Sequence, residues 1–360
     1  MRKMTRQVMC RDVAIGGGAP VSIQSMTNTD TRDVEATLAQ INALRQAGCQ
    51  IVRLAVPDNE AAEAFKTIRK KTDMPLVADI HFDYRLAVAA IENGADKVRI
   101  NPGNIGSEDR VKAVVDAAKA RRIPIRIGVN SGSIEKDILA KYGGPDAEGM
   151  VESVMRKVRL VESMDFNDIV ISVKASDVVL NYQTYVKMSE ATDYPLHIGV
   201  TESGDVTRGT VKSSVGLGAL LIAGIGDTLR VSLTGDPVAE IPVAREILKC
   251  TGHFKSGINL VSCPTCARCK TDLQGISDRL MKRLVGLEAE LIQAEKPQIT
   301  LAVMGCAVNG PGEASHADIG VACGNGKGVI FRKGEIIRTV KEDEIEDVLY
   351  SEMASLADEL

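Results

Sequence analysis

The sequence predicts an α/β protein, a TIM (β/α)8 barrel followed by a small α+β domain. Eight short β-rich runs alternate with amphipathic helical segments between about residues 20 and 250, and this alternation stops after Cys250. Eight β/α units of this size match a barrel, which typically has about 250 residues. A doubly wound open sheet is the structural alternative, but such a sheet rarely needs eight units.

The barrel elements follow one another in regular order. The predicted strands cover residues 21–26, 50–56, 76–80, 97–100, 123–129, 168–174, 196–201 and 228–234. Segments with the helical period separate them, such as 33–47, 108–120 and 149–163.

The rest of the chain predicts a second domain. We expect the barrel to cover residues 1–250, a polar linker that runs into a short strand to cover 251–262, and a small α+β domain to cover 263–360. Its predicted elements are a helix near 275–294, strands near 298–304 and 317–323, a hairpin over 329–339 that turns at Lys333-Gly334, and a closing helix over 341–356.

Composition excludes some classes of function. The chain has 360 residues, a net charge of −4 and 44% hydrophobic residues, so we expect a globular protein with no bulk affinity for nucleic acid or an anionic membrane. The longest apolar run, 217–225, is too short to span a bilayer, and the charged N-terminus lacks the apolar core of a signal peptide. We therefore expect a cytoplasmic protein whose eight cysteines are reduced, bound to metal or buried.

Five cations occupy equivalent places on the predicted strands. They are Arg53, Arg99, Arg126, Lys174 and Arg230. A cation within an apolar strand is costly unless it is paired or faces a solvated cavity, and barrel active sites form where the carboxyl ends of the strands meet. Each arginine could pair with a carboxylate on a neighbouring strand, but five together favour a polyanionic ligand, and a diphosphate suits the forked guanidinium group.

Other polar residues follow the same strands. Residues i and i+2 of a strand face the same side, and this spacing adds Asp79 with His81, Asn101 after Arg99, Asn130 after Arg126 and Ser232 after Arg230. Asp79, His81 and Glu202 are candidate hydrogen-bonding or acid/base groups, although His81 alone is as well explained by a structural role. Lys212, with Ser213 and Ser214, is expected to open a helix after the seventh strand and to contact an anion there.

Cysteines dominate the last third of the chain. Cys263-Pro264-Thr265-Cys266 has the spacing of metal ligands, and Cys306 lies on a glycine-rich turn that ends at Glu313. Three thiolates favour an iron–sulfur cluster or zinc, and an oxygen ligand such as Glu313 would bind more weakly and could exchange with substrate. Structural zinc usually takes four Cys or His ligands, so we favour the cluster.

Four other cysteines have no partner at ligand spacing. Cys10, Cys49, Cys250 and Cys323 are therefore expected to be small buried hydrophobic residues.

Seven motifs of the chain are shared with a known family: CPTCAR, GCAVNGPGE, VRLAVPD, ADIHFDYRLA, KVRINPGN, RIGVNSGS and ISVKAS. They closely resemble those of the bacterial 4-hydroxy-3-methylbut-2-enyl diphosphate synthase family. The resemblance runs in order over nearly the whole chain. It implies an iron–sulfur oxidoreductase that opens 2-C-methyl-D-erythritol 2,4-cyclodiphosphate in the non-mevalonate route to isoprenoids, with reduced ferredoxin or flavodoxin as the electron donor.

The resemblance also implies roles for individual residues. One [4Fe–4S] cluster per chain would be held by Cys263, Cys266 and Cys306, with Glu313 on the fourth iron. The diphosphate would bind to Arg53, Arg99, Asn101, Arg126, Asn130, Lys174, Arg230 and Ser232. Glu202 would lie near the reacting centre. Cys269 departs from the family pattern, where a non-cysteine residue is expected, and it could compete with Glu313 or have no role.

Chain geometry predicts a homodimer. The last barrel helix ends far from the mouth, and a linker of about 12 residues spans at most about 40 Å. The small domain of a second subunit in a two-fold, head-to-tail dimer covers the mouth more easily, and the resemblance also implies an active site shared between chains. Two other functions stay open: a pterin-type barrel transferase with a structural zinc domain, and an iron–sulfur electron carrier.

Overall fold

The protein forms two compact units. The computed structural model describes residues 2–306, 314–324 and 326–360. One unit is Met1–Phe254 and the other is Lys255–Leu360.

The first unit is built around an eight-stranded parallel sheet. Its strands are β3 (Ser22–Met26), β4 (Ile51–Ala55), β5 (Leu76–Asp79), β6 (Lys97–Ile100), β7 (Ile125–Asn130), β8 (Ile169–Lys174), β9 (His197–Gly199) and β10 (Thr228–Arg230). Each strand pairs with the next from β3 to β8, β10 pairs with both β3 and β9, and a bridge from Ile171 to Leu196 joins the two ends. The predicted barrel is confirmed.

Helices surround this sheet. They are α1 (Val34–Ala47), α2 (Asn59–Lys71), α3 (Tyr84–Glu92), α4 (Pro102–Ile105), α5 (Glu108–Arg121), α6 (Lys136–Tyr142), α7 (Ala147–Glu162), α8 (Val178–Ala191), α9 (Val206–Ile222) and α10 (Glu240–Cys250). Several begin at an aspartate whose carboxylate accepts a backbone N–H of the first turn, as Asp33 does for α1 and Asp205 does for α9. No helix in the described parts of the chain is both long and apolar enough to cross a bilayer.

A small hairpin closes the amino end of the barrel. Strands β1 (Val8–Cys10) and β2 (Val13–Ile15) pair antiparallel, and their apolar side chains pack against Ile51, Val77 and Val170. These contacts are with the barrel interior near the starts of three strands. Because the hairpin occupies that end, a ligand reaches the interior from the carboxyl ends of the strands.

The second unit contains a five-stranded mixed sheet. Its strands in spatial order are β11 (Ile258–Ser262), β12 (Ile299–Met304), β13 (Ile319–Gly324), β14 (Lys327–Arg332) and β15 (Glu335–Lys341). The first three are parallel and the last three are antiparallel. Helices α11 (Leu273–Gln293) and α12 (Ile345–Glu359) share an apolar core with the sheet.

Local sequence signals position several of these elements. The hairpin turns at Lys333 and Gly334, both of which have positive φ, as the Lys-Gly pair predicts. The short strand expected at the end of the linker is β11, which pairs with β12 over five residues. Residues 258–262 are therefore part of the sheet of the second unit.

Candidate active site

Asp79 is the carboxylate around which the cations of the barrel mouth gather. It ends β5 and is only 4% exposed, and its oxygens lie 3.0 Å from Arg99 Nη1 and 3.7 Å from both Arg53 Nε and His81 Nε2. Burial alone would raise the pKa of Asp79, but the charges of Arg53, Arg99 and Arg126 outweigh burial and lower it to about 2. The carboxylate therefore stays ionised and holds the arginines in place.

The mouth carries more positive than negative charge. Arg126 is 1% exposed, and its Nε and Nη1 atoms have no hydrogen-bond partner within the part of the chain that the structure describes. Burial, followed by the repulsion of neighbouring cations, lowers the pKa of both Arg126 and Lys174 well below the usual values. A bound anion would relieve this repulsion, since it supplies the missing negative charge.

Glu240 is a buried partner of Arg230 that the sequence did not reveal. It is 2% exposed at the start of α10, and its oxygens accept from Arg230 Nη2 at 3.0 Å, Arg230 Nε at 3.2 Å, Ser25 Oγ at 2.7 Å and the Leu233 N–H at 3.2 Å. A glutamate in the first turn of a helix normally suggests an exposed side chain. Nothing nearby in the sequence marks this one as buried.

Two strand glycines make room for the cations, and the sequence reasoning missed both. A Cβ at Gly128 would lie 2.8 Å from Arg99 Nε and 3.1 Å from Ser172 Oγ. A Cβ at Gly199 would overlap the Nζ of Lys174. A glycine inside a strand was the available signal, because it often marks a close approach of another group.

A cavity of about 290 Å³ opens at the mouth. Five of the predicted site residues line it: His81, Arg99, Asn101, Asn130 and Glu202. Glu202 has a φ of 53°, a left-handed conformation that is uncommon for a glutamate and that often accompanies a functional site. The structure therefore brings the predicted acid/base candidates His81 and Glu202 into the same cavity as one of the cations.

Several of these residues also have a structural role. Asn101 caps the short helix α4 by accepting the Gly103 N–H at 3.2 Å, and Asn130 begins the turn over residues 131–133. Ser232 follows Arg230 by two residues at the same end of β10.

The expectation for Lys212 was wrong in one respect. Helix α9 begins at Val206, where the carboxylate of Asp205 accepts the Arg208 N–H, so Lys212 lies in the second turn and not at the N-terminus. Its side chain is exposed, and neither it nor Ser213 or Ser214 lines the mouth cavity. The strong cap at Asp205 fixes the start of the helix two turns earlier than the serine pair suggested.

Further polar groups lie deeper in the barrel. Lys97, Gln24 and His197 are buried, and their polar side-chain atoms have no hydrogen-bond partner among the described residues. Burial lowers the pKa of Lys97 to about 8 and the pKa of His197 well below its usual value. The sequence offered one signal, a lysine within the strand that carries Arg99.

Four cysteines belong to the cysteine motifs of the second unit, and none of them forms a disulfide. They are Cys263, Cys266, Cys269 and Cys306. The Gly305 N–H donates to Cys263 Sγ at 3.3 Å, and a backbone hydrogen bond from Arg268, followed by that arginine's side chain and charge, lowers the pKa of Cys266. Glu313 lies outside the described residues. Among residues 2–306, 314–324 and 326–360, no three His, Cys, Asp or Glu side chains are close enough to hold a single metal ion.

Family models match both units of the chain. Residues 5–245 match the model described as the GcpE TIM-barrel domain, and residues 259–355 match the GcpE protein C-terminal domain. The chain belongs to the GcpE family. The resemblance found in the sequence motifs is therefore confirmed.

Curated GcpE relatives are similar over the full length. A protein of Caldanaerobacter subterraneus subsp. tengcongensis is 54% identical over 359 residues, which cover 100% of this chain and 99% of the relative. One from Clostridium perfringens is 56% identical over 348 residues, which cover 97% of both. Both relatives are named 4-hydroxy-3-methylbut-2-en-1-yl diphosphate synthase (flavodoxin).

Solved structures from other families have a barrel of the same fold as the first unit of this chain. Dihydropteroate synthase from Stenotrophomonas maltophilia has a TM-score of 0.52 at 14% identity, covering 69% of this chain and 98% of that one. Type I 3-dehydroquinate dehydratase from Clostridium difficile has a TM-score of 0.51 at 14% identity, covering 70% and 99%. At this identity the likeness concerns the fold alone.

Proposed function

We propose that this GcpE protein is a 4-hydroxy-3-methylbut-2-enyl diphosphate synthase, an iron–sulfur oxidoreductase that converts 2-C-methyl-D-erythritol 2,4-cyclodiphosphate to 4-hydroxy-3-methylbut-2-enyl diphosphate. The observation that carries the proposal is the excess of buried cations around Asp79, in a chain whose relatives of that name match it over nearly its full length. The reaction consumes two electrons, opens the ring and releases water.

The barrel cations bind the diphosphate. These cations lie on five strands whose carboxyl ends meet at the mouth. They are Arg53, Arg99, Arg126, Lys174 and Arg230. When the ring opens, the diphosphate gains negative charge at one of its oxygens. Cations that are already fixed stabilise that charge without reorganising, which is the main electrostatic contribution a site of this kind makes.

Two groups of the mouth cavity are suited to proton transfer. Glu202 and His81 line the same cavity, and His81 Nε2 lies 3.7 Å from the buried carboxylate of Asp79. The oxygen that leaves the substrate as water needs a proton. A carboxyl or imidazole group at the cavity wall can deliver it, and we propose Glu202 as the catalytic group and His81 as a substrate-binding group.

The cysteines of the second unit fit one [4Fe–4S] cluster. We propose Cys263, Cys266 and Cys306 as its ligands, and the assignment of Glu313 to the fourth iron rests on the sequence motif. Three cysteine thiolates and one carboxylate support a cluster over structural zinc, because structural zinc usually takes four Cys or His ligands. When bound, the cluster would supply the electrons and a Lewis-acidic iron.

The electrons have to come from a separate protein. The names of the relatives specify flavodoxin, and we propose reduced flavodoxin as the donor for this chain, with ferredoxin as the alternative. Eight cysteines that form no disulfide are consistent with the reducing cytoplasm, where we expect the enzyme to act.

A second copy of the chain would complete the site. Three exposed apolar residues lie on the mouth side of the barrel. Phe82 follows β5 and is 71% exposed, Val179 lies in the first turn of α8 and is 63% exposed, and Val206 begins α9 and is 52% exposed. Exposed apolar side chains around a polar mouth are typical of a surface that another protein covers. They support a homodimer in which the small domain of one chain covers the barrel of its partner.

Mixed dimers test the shared site. A Cys306→Ala chain and a Glu202→Ala chain should each be inactive alone, whereas a verified heterodimer of the two should recover part of the activity. Complete lack of recovery would contradict a site shared between chains.

Anaerobic purification tests the function itself. We expect about four irons and four sulfides per chain, a brown chromophore, and turnover of the cyclodiphosphate with reduced flavodoxin. A colourless zinc protein would instead indicate the barrel transferase, and four irons without turnover under a strong reductant would indicate the electron carrier. As a control for the barrel, an Arg126→Met variant should keep its iron and lose turnover.

A further inference from the structure

Lys157 is a buried lysine on the packed face of α7, and it does not line the mouth cavity. It is 4% exposed and shares that face with Met150, Val154 and Val161, which are apolar and fully buried. A buried ammonium group is costly unless it is paired. The partners of Lys157 therefore show which parts of the barrel this residue holds together.

All three N–H groups of the Lys157 ammonium have acceptors. Its Nζ donates to Glu135 Oε1 at 2.5 Å, to Ser153 Oγ at 2.8 Å and to the Ser153 carbonyl at 3.3 Å. The Ser153 hydroxyl in turn donates to the other Glu135 oxygen at 2.5 Å. Glu135 lies in the loop after β7, directly before α6, so this network ties α7 to that loop.

The stem of Lys157 also contacts the loop after β6. A Cβ at Gly103 would lie 3.0 Å from Lys157 Cε and 3.8 Å from its Nζ, so the backbone of α4 approaches the lysine closely at this glycine. Gly103 donates its N–H to Asn101 Oδ1 at 3.2 Å, and Asn101 Nδ2 donates to Ser133 Oγ at 3.5 Å. Lys157 thus lies behind two loops that also contact each other through Asn101 and Ser133.

The same two loops form one wall of the mouth cavity. Asn101 and Asn104 of the first loop and residues 130–133 of the second line it. Within the second loop, Ser133 Oγ accepts the Asn130 N–H at 3.1 Å and donates to the Asn130 carbonyl at 3.0 Å. Because these bonds connect the loops, a shift of either one would move the amide side chains that face the substrate.

We propose that Lys157 is a positioning residue for the cyclodiphosphate, which fixes the two loops through Glu135 and Gly103. The inference rests on the proposed function, because it takes the mouth cavity as the substrate site. Lys157 itself does not touch the substrate. A misplacement of about 1 Å in groups that orient a substrate can cost about 100-fold in rate, so a rigid wall matters even where the brace lies behind it.

Substrate binding by the anaerobically purified holoenzyme tests this role. Lys157→Met keeps the apolar stem and removes the ammonium, so it should raise the KM for the cyclodiphosphate about tenfold and change kcat less than about twofold. Without reductant, the Kd from isothermal titration calorimetry should rise by the same factor. Lys187→Met is the matched control, since Lys187 pairs with Glu148 of α7 at 3.1 Å but is 44% exposed. It should leave KM and Kd unchanged.

A second variant distinguishes positioning from a loss of stability. Glu135→Gln leaves the buried lysine without its carboxylate and should also raise KM and Kd. The double variant should raise them no more than the larger single change does, because both residues act through one pair. A lysine that only stabilises the fold would lower Tm in these variants and leave KM and Kd at the wild-type values. That result would overturn the proposal.

The outcomes also separate this inference from the proposed function. A wild-type holoenzyme that neither binds nor turns over the cyclodiphosphate would overturn both. Normal turnover by the wild type, with unchanged KM and Kd in Lys157→Met and Glu135→Gln, would overturn the role of Lys157 alone. If Lys157→Met does not fold, Glu135→Gln decides the question, since its side chain is 32% exposed and its shape is kept.

Discussion

Removing the charge of Glu240 should destabilise the barrel and loosen its diphosphate site. Glu240 is 2% exposed and accepts two hydrogen bonds from Arg230, one from Ser25 and one from the Leu233 backbone. Glu240→Gln keeps the shape but leaves the arginine without its carboxylate. In either orientation, the amide would also place an N–H group against an N–H group of the guanidinium.

The expected cost follows from the burial of the pair. Breaking a buried ion pair by removing one partner costs about 3 to 5 kcal/mol. The Arg230 side chain is 16% exposed, so some solvation of its charge remains. We therefore expect the lower value, about 3 kcal/mol, which in a unit of this size lowers Tm by about 6 to 12 °C.

Thermal unfolding followed by circular dichroism measures this loss. Glu148→Gln is the matched control, since Glu148 also lies in the first turn of a helix, α7, is 61% exposed and pairs at 3.1 Å with Lys187, which is itself 44% exposed. The control should change stability by less than about 1 kcal/mol. Inorganic diphosphate should recover more stability in Glu240→Gln than in the wild type, because it gives Arg230 a new partner. Equal melting of the two variants would refute the reasoning.

Three other predictions follow from the same site. Asp79 has a pKa lowered from 3.8 to about 2, so its ionised form stabilises the fold above about pH 4 and this contribution is lost as the pH falls toward 2. Asp79→Asn should therefore cost about 2 kcal/mol in urea unfolding at pH 7, and the difference should shrink below pH 4; a constant difference would contradict this pKa. Lys97 has a pKa lowered from 10.5 to about 8, so the unfolded chain binds more protons between these values and stability rises with pH there. Lys97→Met should remove that rise and raise the urea midpoint at pH 7, and an unchanged slope between pH 8 and 10 would count against a buried lysine. Gly199→Ala should raise the KM for the cyclodiphosphate because its Cβ overlaps Lys174, whereas Gly218→Ala, with no atom within 4 Å, should leave KM unchanged; equal KM values would show that Lys174 has room to move.

Much of the fold was predictable because each element carries its own signal. The alternation of β-rich and amphipathic segments placed all eight barrel strands, and β6 was predicted with its observed bounds, Lys97–Ile100. The amino-terminal hairpin was missed, because strands of three residues are too short to show a pattern. The prediction that Lys212 lies at the start of a helix was wrong. Ser213 and Ser214 are residues typical of a helix start, but the helix begins earlier, after Asp205.

The order of residues along the chain predicts which charged groups lie at the mouth, since the carboxyl ends of parallel barrel strands converge whatever the details of packing. It also determined the family, through motifs spread over the whole chain. How these charges pair is visible only in the folded barrel. Ser25 and Glu240 are 215 residues apart in the chain, yet their side-chain oxygens are 2.7 Å apart in the barrel. Asp79 pairs with Arg53 and Arg99, which lie on the two strands beside its own. Such pairings depend on where side chains lie after the barrel closes.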